Sequence, residues 1–514
     1  MNIRLPRAPA ALLPILALSL ALPLAAQGRF FFRRPPQGHP YDPSPTDPPP
    51  VVRHHQIQIG GQTYSYTTTA GRLPVPDAKG KTECHIFFVA YTLDGAQPGA
   101  RPLAFIYNGG PGEPAIWVQM GGFAPRRIEL NPDGTLPPPP YTLVDNQQSW
   151  LPFTDMVFID PDGTGYSRAV NAAALKFTSS VQGDLQSLSA FIRLYLTNYQ
   201  RLSSPLFLAG ESYGTFRSAG LAGYLAQKGI ALNGVILLSS VLNMHTLDES
   251  PDNDLPNVLF LPSYTAIAWY HKKLPPDMEK LTLQQVVQKA EHWATTTYMM
   301  DLEQGDQLQG VARQQAIAQL ASFTGLEPQL LDDFNLRVSS SLFESSLLRG
   351  EKRAVGRLDG RMTSFNRVPG QLYNDFDPSW VQRPVYTQMF LKYVRENLGY
   401  KTDDVYGGGI DPWQFNMGMN ENMSTLLESA FAKNPYMKLM LAGGYYDLAC
   451  PFFEAQYSMW HLFLPPEEQK NIIVHHYQVG HMIYQDTPSR IKLAHDVAQF
   501  ISGASHDQPI DLVH

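Results

Sequence analysis

The sequence predicts an α/β fold with a mainly parallel central sheet and a helical cap inserted between two parts of that core. Short apolar runs bounded by Gly, Pro or Asp alternate with stretches whose apolar residues recur at helical spacing. Such alternation is typical of a parallel sheet covered on both faces. A long interval that breaks the alternation predicts the cap.

The first two strands are predicted to form a hairpin, since residues 54–69 alternate around a Gly60-Gly61 turn. The later strands are short β-rich runs, and the helices carry apolar residues three and four apart. The other predicted strands are Cys84–Leu93, Pro102–Tyr107, Met156–Ile159, Leu206–Ala209, Val235–Leu238, Lys438–Leu441 and Ile472–Tyr477. The predicted core helices are Val181–Tyr199, Phe216–Gln227 and Ile491–Ile501.

The interval 244–422 is rich in Leu, Gln, Glu and Met, with helical patterns at Leu283–Thr295 and Gln307–Ser322. We predict a helical cap lying over the sheet, which leaves 51–243 and 423–514 as the two parts of the core. A second independent domain is the alternative. No Pro/Gly-rich linker brackets the interval, which favours an insertion.

The N-terminus has the layout of a secretory signal peptide over residues 1–26: two arginines, an apolar run and small residues. An uncleaved anchor is the alternative, but two prolines interrupt a run shorter than the roughly 20 residues that span a bilayer. Residues 27–50 are crowded with proline and are predicted to be an extended linker without its own core. The sequence therefore predicts export, to the periplasm or the medium, and no membrane span in the mature chain.

Charge and cysteine content exclude several classes of protein. The 514-residue chain has a net charge of −7 and no basic excess to neutralise a phosphate backbone, so we expect no nucleic-acid partner. Two cysteines are too few for a disulfide scaffold or a cysteine-rich zinc module. The oligomeric state is left open.

The strongest motif is GESYG at residues 210–214, between the predicted strand Leu206–Ala209 and a helical pattern. This context is typical of a nucleophile elbow, in which glycines permit a sharp turn and the serine hydroxyl stands above the sheet. A strand-to-helix turn with a capping serine is the alternative. The context favours Ser212 as a nucleophile.

A serine nucleophile needs a base, and the base needs an orienting carboxylate. Asp447 and His481 follow two late predicted strands, in the chain order Ser, Asp, His. The ends of parallel strands are where such sheets place their sites. His475 and His476 are the nearest rivals, but they lie within a predicted strand and lack partners with metal-ligand spacing.

An oxyanion hole requires backbone N–H donors near the elbow. One candidate is the amide of Tyr213, directly after the nucleophile. The other comes from NGGPG at residues 108–112, which follows the strand Pro102–Tyr107. An ordinary tight turn is the alternative reading of this loop.

Five motifs occur in fixed order: NGGPG at 108–112, DPDGTGYS at 160–167, GESYG at 210–214, GYYD at 444–447 and GHM at 480–482. Together they resemble the serine carboxypeptidase family, and MGGFAPRR, GESYGTFRSAGLAGYL and DLPNVLFLP are similar to its bacterial branch. The resemblance implies an α/β-hydrolase fold with a helical cap and hydrolysis of the C-terminal peptide bond, without metal or organic cofactor. It also implies a triad of Ser212, Asp447 and His481, with the Gly110 and Tyr213 amides as oxyanion hole.

Members of this family bind the substrate's free carboxylate with the Asn of NGGPG, the Glu of the elbow and a second Glu. Asn108 and Glu211 match the first two, but Gly122 stands at the third position. Since a guanidinium fork matches a carboxylate, we hypothesise that Arg126 or Arg127 supplies the missing contact. Alternatively, both arginines are solvated or pair with the glutamate that follows them.

Cys450 stands three residues after Asp447, where some family members also carry cysteine, and is a candidate to line the site near the leaving residue. A small apolar filler is the alternative. An exported setting permits a Cys84–Cys450 disulfide, but nothing in the sequence supports it. Cap residues 257–270 are expected to approach the cleft.

The sequence thus predicts an exported serine carboxypeptidase that acts on peptides with a free C-terminus through an acyl-enzyme. An esterase or acyltransferase acting on small acyl esters or conjugates is the main alternative, and the departure at Gly122 adds to its credibility. A non-enzymatic binding protein is disfavoured because the elbow, acid, base and oxyanion loop are all intact.

Overall fold

The computed structural model describes residues 41–42, 47–97, 99–368, 377–407, 415 and 417–506, apart from the side chains of residues 379 and 506. The predicted signal peptide and most of the predicted linker lie outside the described residues. Among those described, no helix is both long enough and apolar enough to cross a membrane.

Strands and helices alternate along the described chain. The strands are β1 (Val51–Ile59), β2 (Gln62–Pro76), β3 (Thr82–Leu93), β4 (Leu103–Tyr107), β5 (Arg126–Ile128), β6 (Leu143–Asp145), β7 (Asp155–Ile159), β8 (Arg168–Ala169), β9 (Leu206–Ser212), β10 (Gly234–Ser240), β11 (Arg353–Val355), β12 (Thr363–Phe365), β13 (Lys438–Gly444) and β14 (Ile472–Tyr477). The α-helices are α1 (Ile116–Val118), α2 (Ala172–Thr178), α3 (Val181–Asn198), α4 (Tyr213–Gln227), α5 (Leu255–Tyr270), α6 (Pro276–Glu279), α7 (Leu283–Trp293), α8 (Met299–Glu303), α9 (Gly310–Thr324), α10 (Pro328–Asp333), α11 (Ser340–Ser346), α12 (Arg383–Glu396), α13 (Ser424–Lys433), α14 (Phe452–Trp460), α15 (Pro466–Gln469) and α16 (Thr487–His506).

A ten-stranded mixed sheet has the order β1-β2-β3-β7-β4-β9-β10-β13-β14, with β8 paired to β3. The six strands from β7 to β14 in this order are parallel to their neighbours. The first three strands pair antiparallel, and β3 joins β7 antiparallel. The predicted mainly parallel sheet is confirmed, and its shared carboxyl edge brings together the loops after β4, β9, β13 and β14.

Both faces of the sheet are covered, as the apolar composition of the strands requires. In β4, Leu103 and Phe105 enter one core together with α3, α4 and α14. Ala104 and Ile106 enter a second core together with α12 and α16. The site loops therefore rest on strands that are held from both sides.

The predicted hairpin is confirmed, with Ile59 opposite Gln62 across the Gly60-Gly61 turn. The elbow strand extends further than predicted: β9 continues through Ser212, whose partner on β10 is Ser240. Polar and glycine residues in this stretch predict a turn. They remain in the strand because β4 continues the parallel pairing as far as Gly210 and β10 continues it to Ser212.

The interval 244–422 contains helices α5 to α11, whose apolar residues join the first core. It also contains the antiparallel β11–β12 hairpin. Helix α12 differs from the others, since Tyr386 and Phe390 bury in the second core. The interval predicted as a cap is thus mainly helical, but its last described helix supports the opposite face of the sheet.

The carboxyl end of the predicted linker lies against the sheet. Asp47 forms an ion pair with Arg72 at 2.9 Å and contacts His85. Pro50 packs so closely that a Cβ at Gly71 would lie 2.8 Å from its Cα. These contacts anchor residues 47–50 to β2 and β3.

Candidate active site

Ser212 joins β9 to α4 at the carboxyl edge of the sheet, with φ 61° and ψ −134°. A positive φ combined with this ψ is unfavourable for a residue with a Cβ, and strain of this kind clusters at functional sites. The backbone of Ser212 therefore has the strained geometry of a nucleophile elbow.

The glycines of GESYG lie where close packing leaves little room for a side chain. A Cβ at Gly210 would lie only 2.1 Å from the carbonyl oxygen of Gly214. Any side chain there would push the helix away from the strand and open the turn. The GESYG motif therefore reflects the close packing of strand against helix as well as the chemistry of its serine.

Asp447 and His481 lie in the loops after β13 and β14, and their side chains are joined by an Oδ2···Nδ1 hydrogen bond of 2.7 Å. The second carboxylate oxygen of Asp447 accepts from the amides of Ala449 (2.7 Å) and Cys450 (3.0 Å). Asp447 is fully buried. With Nδ1–H donating to the carboxylate, the Nε2 atom of a neutral His481 ring is left to accept a proton.

Electrostatics also favours proton uptake by His481. Burial opposes its positive charge, but the adjacent Asp447 carboxylate outweighs burial, and the pKa of His481 lies above its ordinary value. Glu211 acts in the same direction when it is ionised. The imidazole is therefore a stronger base than an isolated histidine.

Residues 357–360, which we call the clamp segment, hydrogen-bond to both loops. The carbonyl of Arg357 accepts from the Leu448 amide at 3.0 Å, and that of Leu358 accepts from the His481 amide at 2.6 Å. The clamp segment lies between β11 and β12, far from either loop in sequence. It fixes the two loops relative to each other.

The NGGPG loop packs directly on the elbow. A Cβ at Gly109 would lie 2.4 Å from the Tyr213 amide nitrogen. Gly110 has φ 104°, a conformation that favours glycine. An ion pair of 2.7 Å between Arg383 of α12 and Glu113 holds the end of the loop. The loop thus brings its backbone to the amide predicted to serve the oxyanion hole.

Asn108 and Glu211 form a buried pair, which we call the amide–carboxyl pair. Asn108 Nδ2 donates to Glu211 Oε1 at 2.7 Å, and Asn108 Oδ1 accepts from the Val118 amide at 3.2 Å. Burial raises the pKa of Glu211 to about 7, although the nearby His481 opposes this. Glu211 is therefore largely protonated below neutral pH and can donate a hydrogen bond.

Gly122 has no room for the glutamate that the family carries. A Cβ at Gly122 would lie 2.4 Å from Tyr484 Cβ. The Tyr484 ring fills this space and contacts Phe123 edge-on, with centroids 5.2 Å apart. The departure from the family pattern is therefore coupled to a large side chain on another loop.

Arg126 and Arg127 have partners elsewhere. Arg126 pairs with Asp145 at 2.5 Å, and Arg127 donates to the Ile128 carbonyl and interacts with Glu129. Neither makes a hydrogen bond to the amide–carboxyl pair in the described structure. A contact of either arginine with substrate stays a prediction.

Cys450 interacts with the Ser212 hydroxyl, which places the thiol at the candidate nucleophile. Burial raises the pKa of Cys450 well above its usual range, so the thiol is neutral. Cys84 is buried in the sheet, and both cysteines are free, so the permitted disulfide is absent. The described residues hold no group of three or more His, Cys, Asp or Glu that could bind a metal.

Helix α5, in the interval predicted as the cap, approaches the candidate site at its carboxyl end. The Tyr270 ring lies 5.5 Å from that of Tyr446, next to Asp447. Asn257, at the other end of the expected range, bonds to Asp254 within the cap.

Sequence reasoning missed Tyr484 and the clamp segment. Consecutive glycines, Gly121 and Gly122, in an apolar stretch are a signal of close approach and predict a large neighbour. No sequence pattern marks the clamp segment, because its hydrogen bonds to Leu448 and His481 use main-chain carbonyls, which every residue has.

A parallel sheet with a serine elbow, followed along the chain by an acid loop and a histidine loop, defines the α/β-hydrolase class. A family model described as serine carboxypeptidase matches residues 61–512. The chain therefore belongs to the serine carboxypeptidase family, whose members are hydrolases of the serine-peptidase type.

Solved structures similar to this chain include a proline iminopeptidase of Mycobacterium smegmatis, with 13% identity, 88% of this chain and 99% of that chain covered, and a TM-score of 0.35. A thermostable carboxyl esterase from Bacillus coagulans has 10% identity, coverage of 89% and 99%, and a TM-score of 0.37. A comparison with curated proteins found no match.

Proposed function

We propose that this protein is an exported serine carboxypeptidase that removes the last residue of peptides. One observation carries the proposal: the buried pair of Asn108 and Glu211 adjoins the strained Ser212. A hydrolase of small esters needs no such polar pair beside its nucleophile. A carboxypeptidase needs it, because the substrate ends in a carboxylate.

In the proposed reaction, Ser212 Oγ attacks the scissile carbonyl carbon while His481 Nε2 takes the hydroxyl proton. Asp447 holds the imidazole through Nδ1 and stabilises its positive charge. The amides of Gly110 and Tyr213 donate to the oxyanion. His481 then protonates the leaving amine as the C–N bond breaks, and water resolves the acyl-enzyme by the same path.

Substrate selection falls to the amide–carboxyl pair. The Asn108 amide donates to the terminal carboxylate, and Glu211 in its protonated form donates a second hydrogen bond. A neutral donor pair binds an anion without the cost of burying a second charge. An amidated peptide lacks the anion and gains less from the same groups.

Export is supported by the charge and hydrophobic pattern of residues 1–26. Expression of the full chain in a bacterium with two membranes, followed by cell fractionation and N-terminal sequencing, tests it. We expect exported protein whose first residue lies near Gln27. Full-length chain retained in the cytoplasm contradicts export.

The activity is tested with an N-blocked dipeptide, offered as free acid and as C-terminal amide, at pH 4 to 8. Ser212→Ala is the control for contaminating peptidases. We expect turnover of the free acid to exceed that of the amide strongly and to vanish in Ser212→Ala. Equal turnover of both peptides would refute the carboxypeptidase proposal.

The second candidate is an esterase or acyltransferase with the same nucleophile. It is favoured by Gly122, which removes one carboxylate-binding group of the family. A small p-nitrophenyl ester distinguishes the two. Rapid Ser212-dependent ester turnover without any preference for a free carboxylate would assign the protein to this class.

A further inference from the structure

The phenol of Tyr484 lies in the polar group around the candidate nucleophile. It is completely buried and interacts with both Glu211 and Asn108. Neither Tyr484 Oη nor Glu211 Oε2 has a hydrogen-bond partner of ordinary geometry among the described residues. Buried polar atoms without well-formed hydrogen bonds are costly. Tyr484 and Glu211 contact each other without satisfying either atom fully, so a ligand group placed between them would complete their hydrogen bonding.

The ring is held in a fixed position. Tyr484 closes over Gly121 and Gly122, where added Cβ atoms would lie 2.3 Å and 2.4 Å from its side chain. Its carbonyl accepts from Arg490 Nη1 at 3.2 Å. The hydroxyl is thus aimed at the amide–carboxyl pair by packing on one side and by a main-chain hydrogen bond on the other.

The polar groups next to Glu211 that could bind a ligand are hydrogen-bond donors. The Asn108 amide and the Tyr484 phenol carry N–H and O–H protons. Burial, followed by the nearby Glu211, raises the pKa of Tyr484 well above its ordinary value, so the phenol keeps its proton. The guanidinium of Arg217, which lies over the Tyr213 ring, is engaged by Asp184 at 2.8 Å. Such a set of neutral donors suits a carboxylate.

We propose that Tyr484 is a substrate-binding residue whose Oη–H donates to the terminal carboxylate of the peptide, together with Asn108 and Glu211. The phenol thus takes the place of the acidic side chain that Gly122 cannot carry. This inference rests on the proposed function, since it names a further group of the same carboxylate site.

The test compares Tyr484→Phe with Tyr298→Phe. The first keeps the ring over Gly122 and removes only the hydroxyl. The second removes the hydroxyl of another buried tyrosine, which donates to the Leu336 carbonyl in the interval predicted as the cap. Each variant loses one buried phenol hydroxyl and keeps the aromatic ring. A difference between the two variants in KM for the free-acid peptide therefore reports a contact with the substrate carboxylate.

We expect Tyr484→Phe to raise KM for the free-acid dipeptide about ten- to hundredfold, with KM for the amide and kcat nearly unchanged. Tyr298→Phe should keep the wild-type discrimination. Tyr484→Met, whose flexible side chain fills the ring's space, is a second variant without the hydroxyl if the first is unstable. Calorimetric unfolding of each variant separates loss of fold from loss of binding.

Two results would overturn the inference. If the wild type prefers the free acid and Tyr484→Phe keeps that preference, Tyr484 does not bind the carboxylate and the proposed function survives. A parallel loss on both peptides assigns Tyr484 to packing alone. If the wild type shows no preference for the free acid, the proposed function and this inference fall together.

Discussion

At the scale of single residues, Gly122 determines which side chain lies beside Glu211, because a residue without a Cβ leaves space there for the Tyr484 ring. Tyr484 and any side chain at position 122 exclude each other, because a Cβ there would lie 2.4 Å from Tyr484 Cβ. In the family pattern a glutamate occupies this position, whereas here a phenol from another loop does. A larger side chain at position 122 therefore requires a smaller one, or a displaced one, at position 484.

Gly122→Ala is expected to destabilise the protein by about 1–3 kcal/mol, since overpacking a rigid core forces side chains out of place. Urea unfolding with extrapolation to water measures the change. Gly503→Ala is the matched control, because nothing lies within 4 Å of a Cβ built there. An unfolding midpoint that stays unchanged in Gly122→Ala would show that Tyr484 moves freely.

Glu211 is expected to impose a pH dependence on substrate binding. Its pKa is raised by burial to about 7, and the ionised form above that pH repels a carboxylate. KM for the free-acid dipeptide should then rise about tenfold per pH unit above 7, and KM for the amide should stay flat. The groups facing Glu211 are His481, Tyr484, Asp447, Tyr386 and Asn108.

Glu211→Gln provides the test, because glutamine keeps a donor and does not titrate. We expect the rise in KM above pH 7 to disappear in this variant while kcat still follows the ionisation of His481. Steady-state kinetics from pH 5.5 to 8.5 measure both quantities. The same rise in both proteins would assign the pH dependence to another group.

At the scale of secondary-structure elements, the clamp segment joins the two loops that carry the acid and the base. Asp359 accepts from the Gly480 amide at 3.2 Å, directly before His481, and from Arg361 Nη2 at 2.7 Å. Arg361 in turn donates to the Gln478 carbonyl. The β11–β12 region is thereby hydrogen-bonded to both loops of the candidate triad.

Asp359→Ala should lower kcat roughly tenfold or more with a small change in KM, because small displacements of a base are costly for catalysis. It should also destabilise the fold by about 1–3 kcal/mol through unpaired buried donors. Asp332→Ala is the control, since it breaks a similar but more exposed pair with Arg313 in the interval predicted as the cap. Equal effects of the two variants on kcat would exclude a positioning role for the clamp segment.

At the scale of the whole molecule, several buried carboxyl groups are neutral at acidic pH. Burial raises the pKa of Asp160, Asp162, Glu211 and Glu454 to about 7 in each case. In the unfolded chain such groups ionise near pH 4. Between about pH 4 and 7 the folded state therefore binds more protons than the unfolded state, and these groups contribute stability that is lost as pH rises.

In Glu454→Gln the free energy of unfolding should fall less as the pH rises, by at most about 3 kcal/mol, because glutamine cannot ionise in the unfolded state. Glu454 Oε1 accepts from Thr246 and Ser458, contacts that an amide oxygen can also make. Urea unfolding at pH 5 and pH 7.5 measures the difference for variant and wild type. An identical pH dependence in both would show that Glu454 does not contribute.

Much of the core could be predicted from local pattern. The strands carry continuous apolar runs because both faces of the sheet are buried, so their composition reports their position directly. The predicted β14, Ile472–Tyr477, agrees with the structure residue for residue. The end of β9 could not be predicted, because the residues that close the strand are a glycine, a glutamate and a serine held there by partners on β4 and β10.

The sequence by itself determined the fold class, the family and the chain order of Ser212, Asp447 and His481. These depend on glycine placement and strand composition, which are local properties. Only the tertiary structure decided that Tyr484 fills the space at Gly122, that the predicted cap interval holds the acid and base loops, and that Arg126 has another partner. Those contacts join residues that are distant along the chain, and several use main-chain atoms, so no local pattern encodes them.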